Sequence, residues 1–400
     1  MKKAFIVILT LIFASSFLGG CASEAPVSDR MTSLTAETNT STSLAASAET
    51  SIPTPTDSAS ISDSEPSKTE TSIDVTTSEQ STEGRFFPDS DTELIRWVDL
   101  YSLSLTELAF ARNDFFAKEG YLFEKSEYIE HYQALPWYVP DSEFSYDKFN
   151  EIQLANILLI QVAEARVGNG LLYLPSGSIL DYDQDGALET LVYQAPDPFT
   201  MQITISDTDG ERTWEIDCEA AYGKVYIGDI NYDDGVLDLF TDEMGASDDY
   251  KSYASGITNQ GFLIRGEIPG SCSNISVGGE GVITTLGRKN MLMTWFTKVR
   301  YKLGDTGELV YEKEPQYSFE DFPCTAIVDI PLRSSPDLSL GIDFTIPAGA
   351  QVFLVSTDDI EWVKIRTADM AGWIHISNDT TITDLNLNAV KVFEGLVIAD

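Results

Sequence analysis

The chain has 400 residues, a formal net charge of −39 at pH 7 and a sequence pI near 4.1. A surface this acidic repels nucleic acid, anionic lipid and teichoic acid, which argues against all three as partners, and it attracts cations. The composition changes sharply along the chain, and the part that can fold is long enough for two or three domains.

The N-terminus has the pattern of a secretory signal. Lys2 and Lys3 precede an apolar run that is too short to cross a bilayer comfortably. The run ends in "LGGC", where two glycines precede Cys21. This ending resembles the lipobox of bacterial lipoproteins. The resemblance implies a signal peptide over residues 1–20 and a diacylglyceryl Cys21 on the extracellular face of the membrane, with each acyl methylene contributing about 0.8 kcal/mol. The alternative is a buried helix with a chance cysteine.

Residues 21–85 are rich in serine and threonine and contain no Phe, Trp or Tyr. Such a segment cannot bury enough apolar surface to offset the entropy of ordering it, so we predict a disordered tether. A flexible chain of this length has an end-to-end distance of about 45 Å and a taut limit of about 200 Å.

Residues 86–168 are predicted to form a small helical domain. "SLTE" is a capping box that starts a helix at Ser104, and Gly120 supplies a left-handed stop. A short helix is predicted over Ser126 to Gln133 and a longer one from about Tyr146 to Ala165, with one apolar stripe.

The motifs "LTELAFARNDFFAKEGYLF", "YIEHYQALPWYVP" and "FNEIQLANILLI" come in this order between Asp99 and Glu164. Together they resemble the YARHG domain of bacterial extracellular proteins. The motif that gives the domain its name reads "FAKEG" here, with Lys118 and Glu119 in place of arginine and histidine. If those family residues touch a ligand, Lys118 no longer offers the paired N–H donors of a guanidinium, and Glu119 places a negative charge where the family has a histidine.

Residues 169–320 contain short β-type runs separated by Asp, Gly and Asn, and we predict a domain of strands and hairpins. Two of the turns are alike, "DYDQDGALETL" and "DINYDDGVLDL", and the second has one extra residue before its glycine. These turns resemble the aspartate-rich hairpins of FG-GAP or integrin-like propeller repeats, which implies a propeller-like β domain.

Alternating aspartates followed by glycine are how calcium loops begin. The first turn is no EF-hand, because Val192 stands where the bidentate glutamate is required and the flanks are strands. The candidate calcium ligands are side chains of the two loops: Asp181, Asp183, Asp185 and Glu189 in the first, and Asp229, Asn231, Asp233 and Asp238 in the second. The alternative is an Asx-turn cluster that shapes each hairpin without metal. Any metal is expected to be structural.

Residues 321–400 carry "PLRSSPD", "IPAGAQVFLV", "EWVKIRT" and "AGWI" in the order of the bacterial Src-homology-3 domain, which they resemble. Period-2 strands with glycines at the turns are compatible with a small barrel. Barrels of this family bind cell-wall peptides in aromatic grooves, which implies Trp362, Trp373 and Arg333 as ligand-binding residues. A tryptophan that fills the core is the alternative for Trp362.

The predicted fold class is therefore multidomain α+β. We expect no enzyme, because neither His131 nor His375 lies in a metal or nucleophile motif. Cys218, Cys272 and Cys324 allow at most one disulfide, and small buried thiols are the simpler interpretation. Two functions remain: a lipoprotein that binds peptidoglycan or a surface protein through its C-terminal barrel, or a spacer or sensor ectodomain stiffened by calcium.

Replacement of Cys21 by Ala is expected to abolish lipid attachment, because the thiol is the acylated group. The precursor should then remain uncleaved by the lipoprotein peptidase. Labelling with a radioactive fatty acid checks this, and incorporation of label into the variant would contradict the lipobox interpretation.

Overall fold

The computed structural model describes residues 83–218, 221–245 and 249–399, and these residues belong to one compact unit. The predicted signal peptide, Cys21 and nearly all of the predicted tether lie outside the described residues. Among the described helices, none is both long enough and apolar enough to cross a membrane.

The N-terminal part is helical. Its α-helices are α1 (Trp97–Leu100), α2 (Leu105–Lys118), α3 (Ser126–Gln133) and α4 (Glu151–Val167), and a 3-10 turn spans Tyr146–Lys148. The capping box is present, since the Ser104 hydroxyl accepts from the Glu107 amide and the Glu107 carboxylate accepts from the Ser104 amide. Helix α4 begins five residues later than predicted, because Asn150 caps it by accepting from the Gln153 amide at 2.8 Å.

Helix α4 is the centre of this part of the molecule. The sequence predicted a single apolar stripe, but nearly every side chain between Gln153 and Ala163 is buried. One side of the helix packs against α1 and α2, and other sides pack against strands of the β region. The Arg112 guanidinium joins α2 to α4 through a 3.0 Å ion pair with Glu164.

Polar side chains fix the segment that leads into the helices. The buried Asn156 amide accepts from the Ile95 amide at 2.8 Å and donates to the carbonyls of Ser90 and Glu93. Arg85, at the end of the predicted tether, is buried and ion-paired with Asp91 at 2.6 Å. These bonds satisfy backbone groups of a segment that has little secondary structure of its own.

The "FAKEG" motif closes helix α2. Phe116 is buried among aromatic rings, of which Phe149 is the nearest at 5.1 Å between centroids. Gly120 has φ +86°, and a Cβ there would lie 2.8 Å from the Val139 carbonyl oxygen. This position therefore requires glycine both for its backbone angle and for space.

The β region between residues 172 and 312 is built from three antiparallel sheets, each of which contains a meander of four consecutive strands. The first has the strand order β2–β3–β4–β5, the second β1–β6–β7–β8–β9 and the third β10–β11–β12–β13. The strands are β1 (Leu172–Leu174), β2 (Ser178–Leu180), β3 (Glu189–Asp197), β4 (Thr200–Ser206), β5 (Glu211–Asp217), β6 (Ala221–Gly228), β7 (Asp238–Glu243), β8 (Lys251–Thr258), β9 (Gly261–Pro269), β10 (Ser276–Val277), β11 (Val282–Lys289), β12 (Trp295–Leu303) and β13 (Leu309–Glu312).

The C-terminal part is a seven-stranded sheet that curls into a half-barrel, with the order β21–β20–β19–β18–β17–β14–β22, and a separate β15–β16 hairpin. The strands are β14 (Tyr317–Ala326), β15 (Ile330–Leu332), β16 (Phe344–Ile346), β17 (Gln351–Thr357), β18 (Trp362–Arg366), β19 (Ala371–Ser377), β20 (Thr381–Ile382), β21 (Leu387–Asn388) and β22 (Phe393–Glu394). Alternate residues such as Leu354, Ile365 and Ile374 fill its core.

The half-barrel shares its core with the third meander. Met291, Leu292 and Met293, from the loop between β11 and β12, are buried in the same cluster as the half-barrel strands. The cysteines of the described residues are free, with Cys218 half-buried and Cys272 and Cys324 buried.

Replacement of Tyr132 by Phe is expected to destabilise the helical part in a pH-dependent way. The buried Tyr132 hydroxyl lies 3.0 Å from the Phe110 carbonyl oxygen and 3.1 Å from Asp114 Oδ1. Burial raises the pKa of Asp114 to about 6, and the hydroxyl opposes this by stabilising the ionised form.

The variant should therefore lose about 1 kcal/mol at pH 4.5 and about 2 kcal/mol at pH 8, where Asp114 is ionised and its hydrogen bond is stronger. Denaturant unfolding at both pH values measures this. Tyr138→Phe is the control, because its hydroxyl donates to the Tyr121 carbonyl and its loss should not depend on pH. Equal losses at the two pH values for Tyr132→Phe would contradict the role given to Asp114.

Candidate functional site

The first aspartate loop connects β2 to β3 and gathers four carboxylates. Leu180 pairs with Glu189 across the two strands, so the hairpin register brings Glu189 beside the start of the loop. Asp181, Asp183, Asp185 and Glu189 each offer an oxygen, and these oxygens all lie within 4.8 Å of one another. The ligand set predicted for this loop is therefore brought together in space.

The loop also holds its shape through its own backbone. The amides of Gly186 and Ala187 donate to Asp181 Oδ2 and Asp185 Oδ1 at 3.0 and 2.8 Å. The Tyr182 amide donates to Glu189 Oε2 at 2.7 Å. Bonds of this kind are those expected of an Asx-turn cluster, so the turn geometry is defined without an ion.

A residue that sequence reasoning missed provides the countercharge. Arg212, on the last strand of the same meander, donates to Asp183 Oδ2 at 2.5 Å and to Glu189 Oε1 at 3.1 Å. It lies 23 residues from Glu189 along the chain. No local motif marks such a partner, because only the pairing of four strands brings it to the loop.

Burial makes it costly to ionise the carboxyls of this loop. The Glu189 side chain has no exposed surface, and burial raises its pKa to about 8. Burial likewise raises the pKa of Asp181 to about 6, and its Oδ1 has no hydrogen-bond partner among the described residues. An ionised carboxylate in such a position needs a cation beside it.

Calcium prefers six to eight oxygen ligands with carboxylates among them, and the first loop fits it in donor type and number of carboxylates. Asp181, Asp183, Asp185 and Glu189 would hold the ion. The Arg212 guanidinium already takes one oxygen each from Asp183 and Glu189, so it competes for two of the four ligands.

The second loop, between β6 and β7, does not gather its predicted ligands in the same way. Both oxygens of the buried Asp238 are engaged, with Arg265 Nε at 2.8 Å and the Ile230 amide at 3.0 Å. Asp229 accepts from the Trp97 indole. Asn231 Oδ1 lies 3.4 Å from the Asp233 amide, which donates to it in an Asx turn. Within the described residues, the carboxylates of this loop do not form a group close enough for one cation.

The two loops nevertheless follow one plan. In each, the amide after the first aspartate donates to an acidic residue that opens the next strand, and an arginine from the last strand of the meander pairs with that residue. Arg265 pairs with Asp238 and Asp234 as Arg212 pairs with Glu189 and Asp183. In both loops, the repeated "D…DG" pattern thus marks acidic side chains that pair with an arginine located more than 20 residues later in the chain.

The second loop also contacts the helical part. Arg166, at the end of α4, lies over the Tyr232 ring at 4.8 Å and near the rings of Trp97 and Tyr101. Tyr232 covers Gly279 so closely that a Cβ at this position would overlap the ring. Trp97 also donates a hydrogen bond to Asp229, which the sequence named as a candidate calcium ligand.

The half-barrel places its three predicted ligand-binding residues differently. Trp362 is buried edge-on against His375, with ring centroids 4.9 Å apart. Arg333 is buried, and its guanidinium donates to Asp384 at 2.5 Å and to the Leu340 carbonyl. Trp373 is half-buried on the outer face of β19, with Lys364 Nζ 5.7 Å from its ring centroid. His375 also contacts Thr383 and Glu361.

Residues 86–165 match the model of the YARHG domain, which agrees with the resemblance found in the sequence between Asp99 and Glu164. No curated protein and no solved structure matches the chain. The helical part of this chain is therefore a YARHG domain, and it covers one fifth of the sequence.

Replacement of Arg212 by Ala is expected to cost about 3 kcal/mol of unfolding free energy at pH 9, because Glu189, whose pKa burial raises to about 8, is then ionised and left buried without its cation. Arg300→Ala is the matched control, since Arg300 makes an exposed pair with Glu312 that should contribute less than about 1 kcal/mol. Thermal melts in chelator measure both.

Millimolar calcium should recover part of the stability lost by Arg212→Ala, because a divalent cation can replace the guanidinium among the four carboxylates. Magnesium should recover less, since it requires near-ideal octahedral geometry. If calcium and chelator give the same melting temperature for the wild type, and also for the variant, the loop does not bind calcium.

Proposed function

We propose that this protein is a non-enzymatic lipoprotein, anchored through Cys21 on the extracellular face of a bacterial membrane, that binds a component of the cell envelope through its C-terminal half-barrel. The component is peptidoglycan or a surface protein. The anchor and the tether rest on sequence patterns outside the described residues. The binding role rests chiefly on one observation, the position of Trp373.

Trp373 lies on the outer face of the half-barrel, where residues alternate with those of the core. Trp373 pairs with Lys364 on the neighbouring strand β18. Two residues further along β18, the Arg366 guanidinium lies 4.3 Å from the centroid of the Phe353 ring on β17. This face therefore offers aromatic rings beside cationic groups. A stem peptide has carboxylates and a short apolar frame, and both features can be bound by such a surface.

We propose further that the β region and the C-terminal part each adopt a known β fold. Three consecutive antiparallel meanders, two of them with an aspartate loop, favour an FG-GAP or propeller-like β domain. A curled sheet with a short hairpin against it favours a Src-homology-3-like C-terminal domain. The backbone of Arg333 bonds to that of Trp373 in both directions, at 3.0 and 2.8 Å, and so joins the hairpin to the proposed binding face.

The second candidate is a structural spacer or sensor ectodomain that calcium stiffens. The convergence of four carboxylates in the first loop favours it. The calcium-dependent melt of the wild type and of Arg212→Ala is its test. In this role the half-barrel needs no wall ligand, so retention on the cell envelope separates the two functions.

Replacement of Trp373 by Ala is expected to reduce retention of the protein on isolated cell envelope at least tenfold. The melting temperature should change little, because this ring is half-exposed. Trp362→Ala is the control for a structural tryptophan and should cost about 3 to 5 kcal/mol, since its ring is buried. Sedimentation with insoluble envelope and a circular dichroism melt measure the two effects. A folded wild-type protein that is not retained on the envelope would contradict the proposed function.

A further inference from the structure

The loop that joins β15 to β16 and the first residue of β16 expose four large apolar side chains at alternate positions. Leu338, Leu340, Ile342 and Phe344 are exposed to 52%, 42%, 45% and 45%. We call residues 338–344 the apolar loop. The polar residues between these four are exposed as well, so the loop stands away from the fold. Exposed apolar groups that cluster in this way mark interaction sites in soluble proteins.

The loop is held in this shape by bonds from its polar groups. Arg333 donates to the Leu340 carbonyl while its other nitrogen is fixed to Asp384. The Ser334 and Ser339 amides donate to Asp343 and Asp337 at 2.8 Å each. The backbone is thus fixed by internal hydrogen bonds, and the apolar side chains are left to face outward. An ordered loop loses little conformational entropy when it binds a partner.

The charge around the loop decides what can occupy it. Asp337 and Asp343 flank the apolar side chains, and hydrogen bonds from Ser339 and Ser334 hold the pKa of both carboxyls below its usual range. A second copy of this chain and an anionic membrane are repelled by the net charge of −39. The chain's own tether is acidic and has no aromatic residue, so it complements neither the charge nor the apolar surface.

The side-chain chemistry separates the remaining occupants. Three of the four side chains, Leu338, Leu340 and Ile342, are aliphatic, and only Phe344 offers a flat ring on which a sugar or a base could stack. Branched aliphatic side chains instead pack against other apolar side chains. Apolar groups within an acidic rim are complementary to a peptide that carries apolar residues beside Lys or Arg.

We propose that the apolar loop is a docking surface for a segment of an envelope protein that presents apolar side chains flanked by Lys or Arg. Arg333 is its positioning residue. This inference rests on the proposed envelope-binding function and names the partner class of the same half-barrel. Protein rather than glycan is the ligand at this loop, and attraction to the acidic rim makes the interaction sensitive to salt.

The test uses the full chain and two preparations of insoluble cell envelope, one untreated and one digested with trypsin, which cleaves after Lys and Arg. The wild type should be retained on the untreated envelope and at least tenfold less on the digested one. The double variant Leu340→Ser with Ile342→Ser should lose retention on the untreated envelope by a similar factor. Its melt should be unchanged, because the replaced side chains are exposed.

The matched control is the double variant Val397→Ser with Ile398→Ser, which removes two apolar side chains that are exposed to 51% and 53% outside the loop. It should be retained like the wild type. Retention of the wild type that survives trypsin, or that the loop variant leaves unchanged, would overturn the docking proposal while the proposed envelope binding stands. Absence of wild-type retention on untreated envelope would instead contradict the proposed function itself.

Discussion

Buried carboxylates paired with arginine are the interaction on which this fold depends. The protein carries 64 Asp and Glu against 25 Lys and Arg, so cations are scarce. Several of the arginines lie inside the fold, where Arg212 and Arg265 close the two aspartate loops and Arg112 joins two helices. An unpaired buried charge costs several kcal/mol, so the guanidinium groups stabilise the buried carboxylates of these loops.

This pairing explains why two similar loops have different surroundings. In the first loop, the carboxylates face one another and Arg212 holds only two of them, which leaves a donor set that calcium also fits. In the second, Trp97 donates to one oxygen of Asp229, and Arg265 and the Ile230 amide donate to the two oxygens of Asp238. The first loop is therefore the candidate for a cation, and the second joins the β region to the YARHG domain.

Two positions of the YARHG motif are structural in this chain. Phe116 fills an aromatic core and Gly120 forms a turn that no other residue fits, so these two positions serve the fold. The binding surfaces that we propose lie instead in the C-terminal part of the protein. There the half-barrel exposes Trp373 beside Lys364, and the apolar loop stands next to it because Arg333 bonds to both.

The sequence by itself determined the local features. Helix α2 with its capping box, the exact bounds of α3, the β character of the middle region and the glycine turns follow from short-range bonds between residues a few positions apart. The four carboxylates of the first loop were found in the same way, since alternate positions in one hairpin must lie close together.

Only the tertiary structure decided which side chains are buried and which charges pair. Helix α4 is buried on nearly all sides because sheets and helices pack around it, and a single apolar stripe does not reveal this. Arg212, Arg265 and Trp97 reach their carboxylates from 23, 27 and 132 residues away. Contacts over such separations are set by strand order and packing, and no pattern of neighbouring residues encodes them.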